Sequence, residues 1–219
     1  MTDRRDGSLK DEIYHAVLEG ILNCEYKPGQ VLNEKELVAR FGCSKSPVRE
    51  ALVSLCNDNV LRNIPRYGYE IIRLTREDVE EMIQFRYLLE GGMLQLTLDR
   101  ISPVQLDKLE RLDEACAACA DVWSHWARNE EFHLQLMAFS RNEFAYHELR
   151  RALDRLKRAY AQFYWSRWDA SAPPYDTRNH QAILAAVRRR DPAAALEALK
   201  NDLKDFGDLS CDIREVYRR

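Results

Sequence analysis

Four polar residues interrupt apolar helical patterns in the second half of the chain: Asn129, His133, His180 and Asp202. Asn129 and His133 are i, i+4 in ARNEEFHLQLMAF, and Leu136 and Met137 continue their face. His180 leads HQAILAAV, with Ile183, Leu184 and Val187 following at +3, +4 and +7. Asp202 has Leu199 three residues before it and Phe206 four after it. A buried polar side chain costs free energy unless it finds a partner. Four such residues on the inner faces of three helices can satisfy one another around a shared centre. Imidazole and carboxylate together suit a divalent transition metal. For any single one, the bland alternative is a hydrogen-bonded core residue.

Arg86 stands four residues before Glu90. It is either half of a surface pair worth about a few tenths of a kcal/mol or a guanidinium that forks onto a ligand carboxylate. Cys116 and Cys119 form a CxxC inside EACAACAD, an Ala-rich helical stretch. With no second pair and no nearby histidine to complete a zinc set, they read as small helix-packing residues.

These side chains need helices to hold them. From Thr75, a candidate cap, strand signals vanish, and helical patterns run over 77–99, 103–119, 121–140, 143–168, 176–190 and 192–210. Ser102-Pro103, Asp191-Pro192 and Ala172-Pro173-Pro174 punctuate them as N-terminal signals. The segment is long enough to enclose a cavity between its helices.

The first part of the chain reads differently. Leu9, Ile13, Val17 and Ile21 mark a helix ending near Asn23, and Lys27-Pro28-Gly29 is a turn. Asn33 to Leu55 then reads as two short helices. Gly42 ends the first, and Ser44 or Ser46 caps the second, with Pro47 in its first turn. Val48, Ala51, Leu52 and Leu55 give the second helix one apolar face, while Lys45 and Arg49 share another. Val60–Ile64 and Tyr69–Leu74 follow as a hairpin with Gly68 in its turn. Helix, helix-turn-helix and hairpin make a winged helix, whose reading helix enters the major groove. The fold class is therefore mostly α. Residues 1–74 form an N-terminal winged helix-turn-helix with a small β-hairpin wing, and residues 75–219 a C-terminal all-α bundle.

Composition is consistent with this division. The net charge is −3, which does not by itself advertise nucleic acid. Between residues 35 and 73, however, seven basic residues face four acidic ones, a local excess of the kind phosphate contact needs. Six cysteines in 219 residues are too sparse for a disulfide scaffold. No opening signal peptide and no apolar run of membrane-spanning length is present. The expectation is a soluble, cytoplasmic protein with no membrane partner.

YKPGQVLNEKELVARFGCSKSPVREAL and the hairpin with Gly68 resemble the N-terminal domain of GntR-family bacterial transcription regulators. The PG turn, the L-x-x-x-F-G-x-S-x-x-P-V-R-E-A-L run and the wing glycine carry the match. FRYLLE, NEEFH, Asn142, NHQAILAAVRRRD and the Ala-rich last helix are similar to the helical FCD domain of the FadR-like subfamily. The resemblance implies a homodimer, likewise without membrane association, bound to a palindromic double-stranded operator. A small organic or sugar acid in the helical domain would set its affinity, and repression is the expected sense. Family DNA contacts fall on Lys35, Lys45, Ser46, Arg49 and Gly68, with Arg66 and Tyr67 at the wing tip. Lys35 and Lys45 stand where Arg is common, and Lys does not fork onto guanine. Arg49 is the best placed for a bidentate base contact.

In metal-binding FCD domains an Asp and three His hold the ion. The matching positions here are Asn129, His133, His180 and Asp202, so one carboxylate is lost and one gained. A metal here would be zinc, nickel or manganese, ligating an organic acid directly, with Arg86, Asn129, His133, Asn142 and His180 around the effector. The alternative is a metal-free pocket. Two competing functions remain at this level. One is a metal-dependent enzyme using His133, His180 and Asp202, for which no nucleophile–base pair stands out. The other is a constitutive DNA-binding dimer with no effector. An enzyme is not expected.

Overall fold

The structure, a computed structural model, describes residues 8–164, 177–206 and 209–210. The expected fraying of residues 1–7, the Ala172-Pro173-Pro174 punctuation and the end of the expected 143–168 helix lie outside the described residues. These divide into two compact units, one of residues 8–75 with 158–164, the other of the remainder.

The first unit begins with α1 (Leu9–Leu22), entered through a reciprocal capping box between Ser8 and Asp11. Ile13, Val17 and Ile21 are buried, whereas Leu9 is exposed. A short strand, β1 (Val31–Leu32), precedes α2 (Glu34–Phe41). Asn33 caps α2 by accepting from Lys35 N. Gly42 ends it in the left-handed region at φ 61°, where glycine carries no Cβ penalty. α3 (Lys45–Asn57) starts after Ser44, which occupies the cap position but makes no side-chain cap bond. Val48, Ala51, Leu52 and Leu55 are all fully buried, packed with Ile13 and Val17 of α1 in one core cluster. Truncating Leu52 to Ala in such a site costs about 2–5 kcal/mol.

The wing is a three-stranded antiparallel sheet of order β1-β3-β2, with β2 (Leu61–Ile64) and β3 (Gly68–Ile71). The wing departs from expectation in three ways. The hairpin strands are shorter than Val60–Ile64 and Tyr69–Leu74, and β1 was not legible as a strand. Gly68 opens β3 rather than sitting in the turn, at φ 135°. A Cβ there would lie 2.5 Å from the Leu32 carbonyl oxygen, so the glycine is required by the approach of β1. The turn itself closes through Tyr67 N donating to Ile64 O at 3.0 Å, with Arg66 taking the left-handed residue at φ 70°. Gln162, at the end of α7 (Glu143–Tyr164) and within this same unit, pairs its amide with the backbone of Leu74.

In the second unit, α4 (Arg76–Thr97) runs into one 3-10 turn, Leu98–Arg100. α5 (Pro103–Ala117) has a Ser102–Gln105 capping box and Pro103 at its first position. α6 (Val122–Ala138) is capped by Asp121. α8 (Arg178–Arg189) and α9 (Pro192–Lys204) pack against each other, α9 against α4, and α5 against α6. Gly91 of α4 lets Leu196 of α9 approach to 3.0 Å of where its Cβ would stand. α9 is shorter than the expected 192–210, because the chain turns into a two-residue strand pair, β4 (Asp205–Phe206) and β5 (Leu209–Ser210).

Candidate functional site

The apolar face of α3 is used up by the core, so its other residues project outward. Lys45 and Arg49 are exposed there, as is Lys35 on α2. Arg49 donates from Nε and Nη2 to the two oxygens of Glu34, at 3.0 and 3.3 Å. Lys45 Nζ reaches the same carboxylate at 3.0 Å. Ser46 does not cap α3. It turns its hydroxyl to Glu50 at 2.8 Å. At the wing tip Arg66 and Tyr67 are exposed, Tyr67 at 76%.

The second unit gathers the polar quartet. His133 of α6, His180 of α8 and Asp202 of α9 place ligand atoms within 4.8 Å of one another. Asp202 lies 3.0 Å from His133 Nε2 through one oxygen and 3.6 Å from His180 Nε2 through the other. Asn129 Nδ2 is 3.2 Å from His180 Nε2. Phe132 stacks on His180 with ring centroids 3.9 Å apart, which fixes the plane of that imidazole.

Two further carboxylates complete the centre. Glu90 of α4 accepts from His133 Nδ1 at 2.7 Å. Asp113 of α5 accepts from His180 Nδ1 at 3.2 Å. Both are buried. In the neutral imidazole, a carboxylate on Nδ1 sets the tautomer and leaves Nε2 as the inward-facing lone pair, the orientation metal-ligating histidines take. The sequence reading missed Asp113, although it breaks the α5 pattern between buried Leu109 and Cys116 in the same way the quartet does. Glu90 was noticed only as a partner of Arg86.

Arg86 is not in a surface pair. Its Nε donates to Glu90 at 2.7 Å, and both side chains are buried. Its Nη2 is buried with no hydrogen-bond partner among the described residues. Glu90 thus serves two cations. Burial pushes its carboxyl pKa up, but Arg86 and His133 outweigh burial and hold it below the ordinary value. Burial works against the His133 imidazolium, yet Glu90 and Asp202 raise its pKa to about 9. Asp202 is pulled to about 2 against its own burial, chiefly by the neighbouring His133.

The donor set fits a divalent cation. Glu90, Asp113 and Asp202 against Arg86 leave a formal charge of −2 with both histidines neutral. Buried charge must be compensated. One divalent ion does so, as do two imidazolium protons. His133 Nε2 supplies the sharper sign. It is buried without an aligned hydrogen bond among the described residues, although Asp202 Oδ2 is only 3.0 Å away. Two donor atoms close together but not aimed at each other is the arrangement of ligands aimed at a common point. Asn129 is the mismatch, since its amide nitrogen, not its oxygen, is nearest His180 Nε2.

Asn142, expected among the effector contacts, is elsewhere employed. It is exposed, and its Oδ1 accepts from Ala145 N at 3.0 Å as the cap of α7. Contrary to expectation, the CxxC does have a histidine beside it. Cys116 Sγ lies 3.4 Å from His125 Nδ1. Burial nevertheless pushes the Cys116 thiol up to about 12, which makes it a packing thiol rather than a thiolate.

Comparison with known proteins gives two family matches. Residues 9–71 match the model for bacterial regulatory proteins of the gntR family, and residues 81–205 match the FCD domain model. The HTH-type transcriptional repressor RspR of Escherichia coli is 24% identical over 213 residues, covering 94% of this chain and 91% of its own. The Bacillus subtilis HTH-type transcriptional regulator YdhC is 33% identical over 135 residues, 60% of each chain. Among solved structures, E. coli McbR/YncC superposes with a TM-score of 0.74 at 20% identity, over 96% of this chain and 99% of that one. Both relatives are named as HTH-type transcription regulators. No helix among the described residues is long and apolar enough to cross a membrane.

Proposed function

The chain belongs to the GntR family of bacterial regulatory proteins, with an FCD effector domain behind its helix-turn-helix, and on that premise we propose that it is a cytoplasmic, ligand-responsive repressor. It binds a palindromic operator as a homodimer and responds to a small organic or sugar acid held in the helical domain. One observation carries the reading. The buried centre gathers His133, His180 and Asp202 beside an Arg86 Nη2 that has no hydrogen-bond partner among the described residues, an arrangement that a core built only for dimerisation has no use for.

The residues divide the work by chemistry. Arg49 reads a base edge, Lys45 and Lys35 hold phosphates or single acceptors, and Arg66 and Tyr67 meet the minor groove or its backbone. In the helical domain His133, His180 and Asp202 would hold a divalent ion, with Asn129 as a weak further ligand. When bound, that ion supplies open coordination positions for a carboxylate. Arg86 would offer the same anion its Nη2, which has no hydrogen-bond partner among the described residues. Operator half-sites have fixed spacing, so an effector that shifts the population between two arrangements of the winged helices across a dimer weakens binding. RspR, named as a repressor, supports the sign of regulation.

The test is fluorescence anisotropy on a duplex that the protein itself enriches from a random-sequence library. Nickel or zinc and a panel of small carboxylates are then added. Operator affinity that depends on carboxylate supports the reading. Affinity indifferent to metal and to every carboxylate favours a constitutive DNA-binding dimer.

A further inference from the structure

We propose that Glu34, which none of the sequence motifs singled out, is a positioning residue for base readout by α3. It rests on the reading of α3 as the helix that contacts DNA. Glu34 is the first residue of α2, yet its carboxylate collects groups from two other elements. Arg49 donates through Nε and Nη2, Lys45 stands 3.0 Å away, and the Tyr69 hydroxyl of β3 donates at 3.2 Å. Arg49 and Lys45 are themselves more than half exposed, while the Glu34 side chain is only 16% exposed. The anion is thus fixed and the cations it holds are at the surface. Its pKa lies below the ordinary carboxylate value, mainly through the hydrogen bond from Arg49, so it is charged wherever the protein is folded at neutral pH.

The side of the guanidinium that Glu34 occupies matters. A guanidinium has two hydrogen-bonding edges. Glu34 takes the Nε–Nη2 edge, which leaves the Nη1–Nη2 end for an outward fork. That end matches the O6 and N7 acceptors of guanine. An arginine on a flexible stem must lose rotamer freedom to make this fork, and a partner that orients it beforehand reduces the loss. A carboxylate so placed also repels phosphates and engages two cations that would otherwise bind backbone anywhere. Glu34 therefore acts twice on specificity: it aims Arg49 at a base, and it withholds Arg49 and Lys45 from indiscriminate phosphate contact.

The experiment measures the affinity ratio between the duplex enriched by the wild-type protein and a shuffled duplex of the same composition, across a salt series. Glu34→Gln keeps the shape and removes the charge. The expected result is a ratio at least tenfold lower than wild type and tighter binding to the shuffled duplex. The salt dependence on the shuffled duplex should steepen by about one unit, as a newly freed cation requires. Glu34→Asp keeps the charge but shortens the reach. It should lower the ratio without steepening the salt dependence, and it serves if the glutamine variant does not fold. In an Arg49→Ala background, Glu34→Gln should change the ratio less than threefold. A residue that merely ties α2 to α3 would alter melting temperature and both affinities alike, leaving the ratio intact. An unchanged ratio in both folded variants, with Arg49→Ala still lowering it, overturns this inference alone. An unchanged ratio in Arg49→Ala overturns the reading of α3 beneath it.

Discussion

Glu90 and His133 are joined by a 2.7 Å hydrogen bond between buried side chains of α4 and α6, and the same carboxylate takes Arg86 at 2.7 Å. One anion therefore aligns the two cationic groups that face the centre of the helical domain. Removing its charge leaves Arg86 buried without a counter-ion. Glu90→Gln should destabilise the protein by about 3–5 kcal/mol, read as a fall in the midpoint of denaturant unfolding. A loss under 1 kcal/mol would mean that the pair is solvated.

Asn129 is the weak corner of the centre. Its amide nitrogen is 3.2 Å from His180 Nε2, where it donates to the lone pair a metal would need. Asn129→Asp removes that donor and adds a carboxylate. Nickel or zinc affinity should rise at least tenfold, about 1.4 kcal/mol or more, by calorimetry on chelator-treated protein. Equal affinity would exclude Asn129 from the coordination sphere.

Arg66 holds a left-handed backbone at φ 70°, which costs a non-glycine residue about 1–3 kcal/mol. Arg66→Gly should relieve roughly 1 kcal/mol of that strain while weakening binding to DNA, because the wing loses its cation. Stability gained with DNA affinity unchanged would remove Arg66 from the interface.

Cys116, buried and pushed up to about 12, should resist iodoacetamide at pH 8 in the native protein and react after denaturation. Mass spectrometry of tryptic peptides reads this directly. Native labelling would contradict its burial.

What the sequence made legible follows from how local each signal is. α3 was readable because cap, proline and four apolar positions lie within one dozen residues, and those four are the ones buried. Asn129, His133, His180 and Asp202 stood out because each breaks a helical pattern, and the fold brings them together. Asp113 obeyed the same rule and was overlooked. The two readings of Arg86 stayed open because i, i+4 spacing to Glu90 is identical on a surface and in a core, and only packing of α9 and α6 against α4 decides between them. β1 was invisible because two residues carry no period. The requirement at Gly68 comes from Leu32, a distant part of the chain.

The central claim is that the histidine centre communicates with DNA binding. The most direct measurement compares wild type with a His133→Ala, His180→Ala variant on the enriched duplex, by anisotropy, across divalent metals and small carboxylates. The account predicts that at least one metal–carboxylate combination shifts the wild-type Kd fivefold or more, about 1 kcal/mol. The double variant should bind the bare duplex within threefold of wild type and show no shift. A double variant that keeps the full response would contradict it.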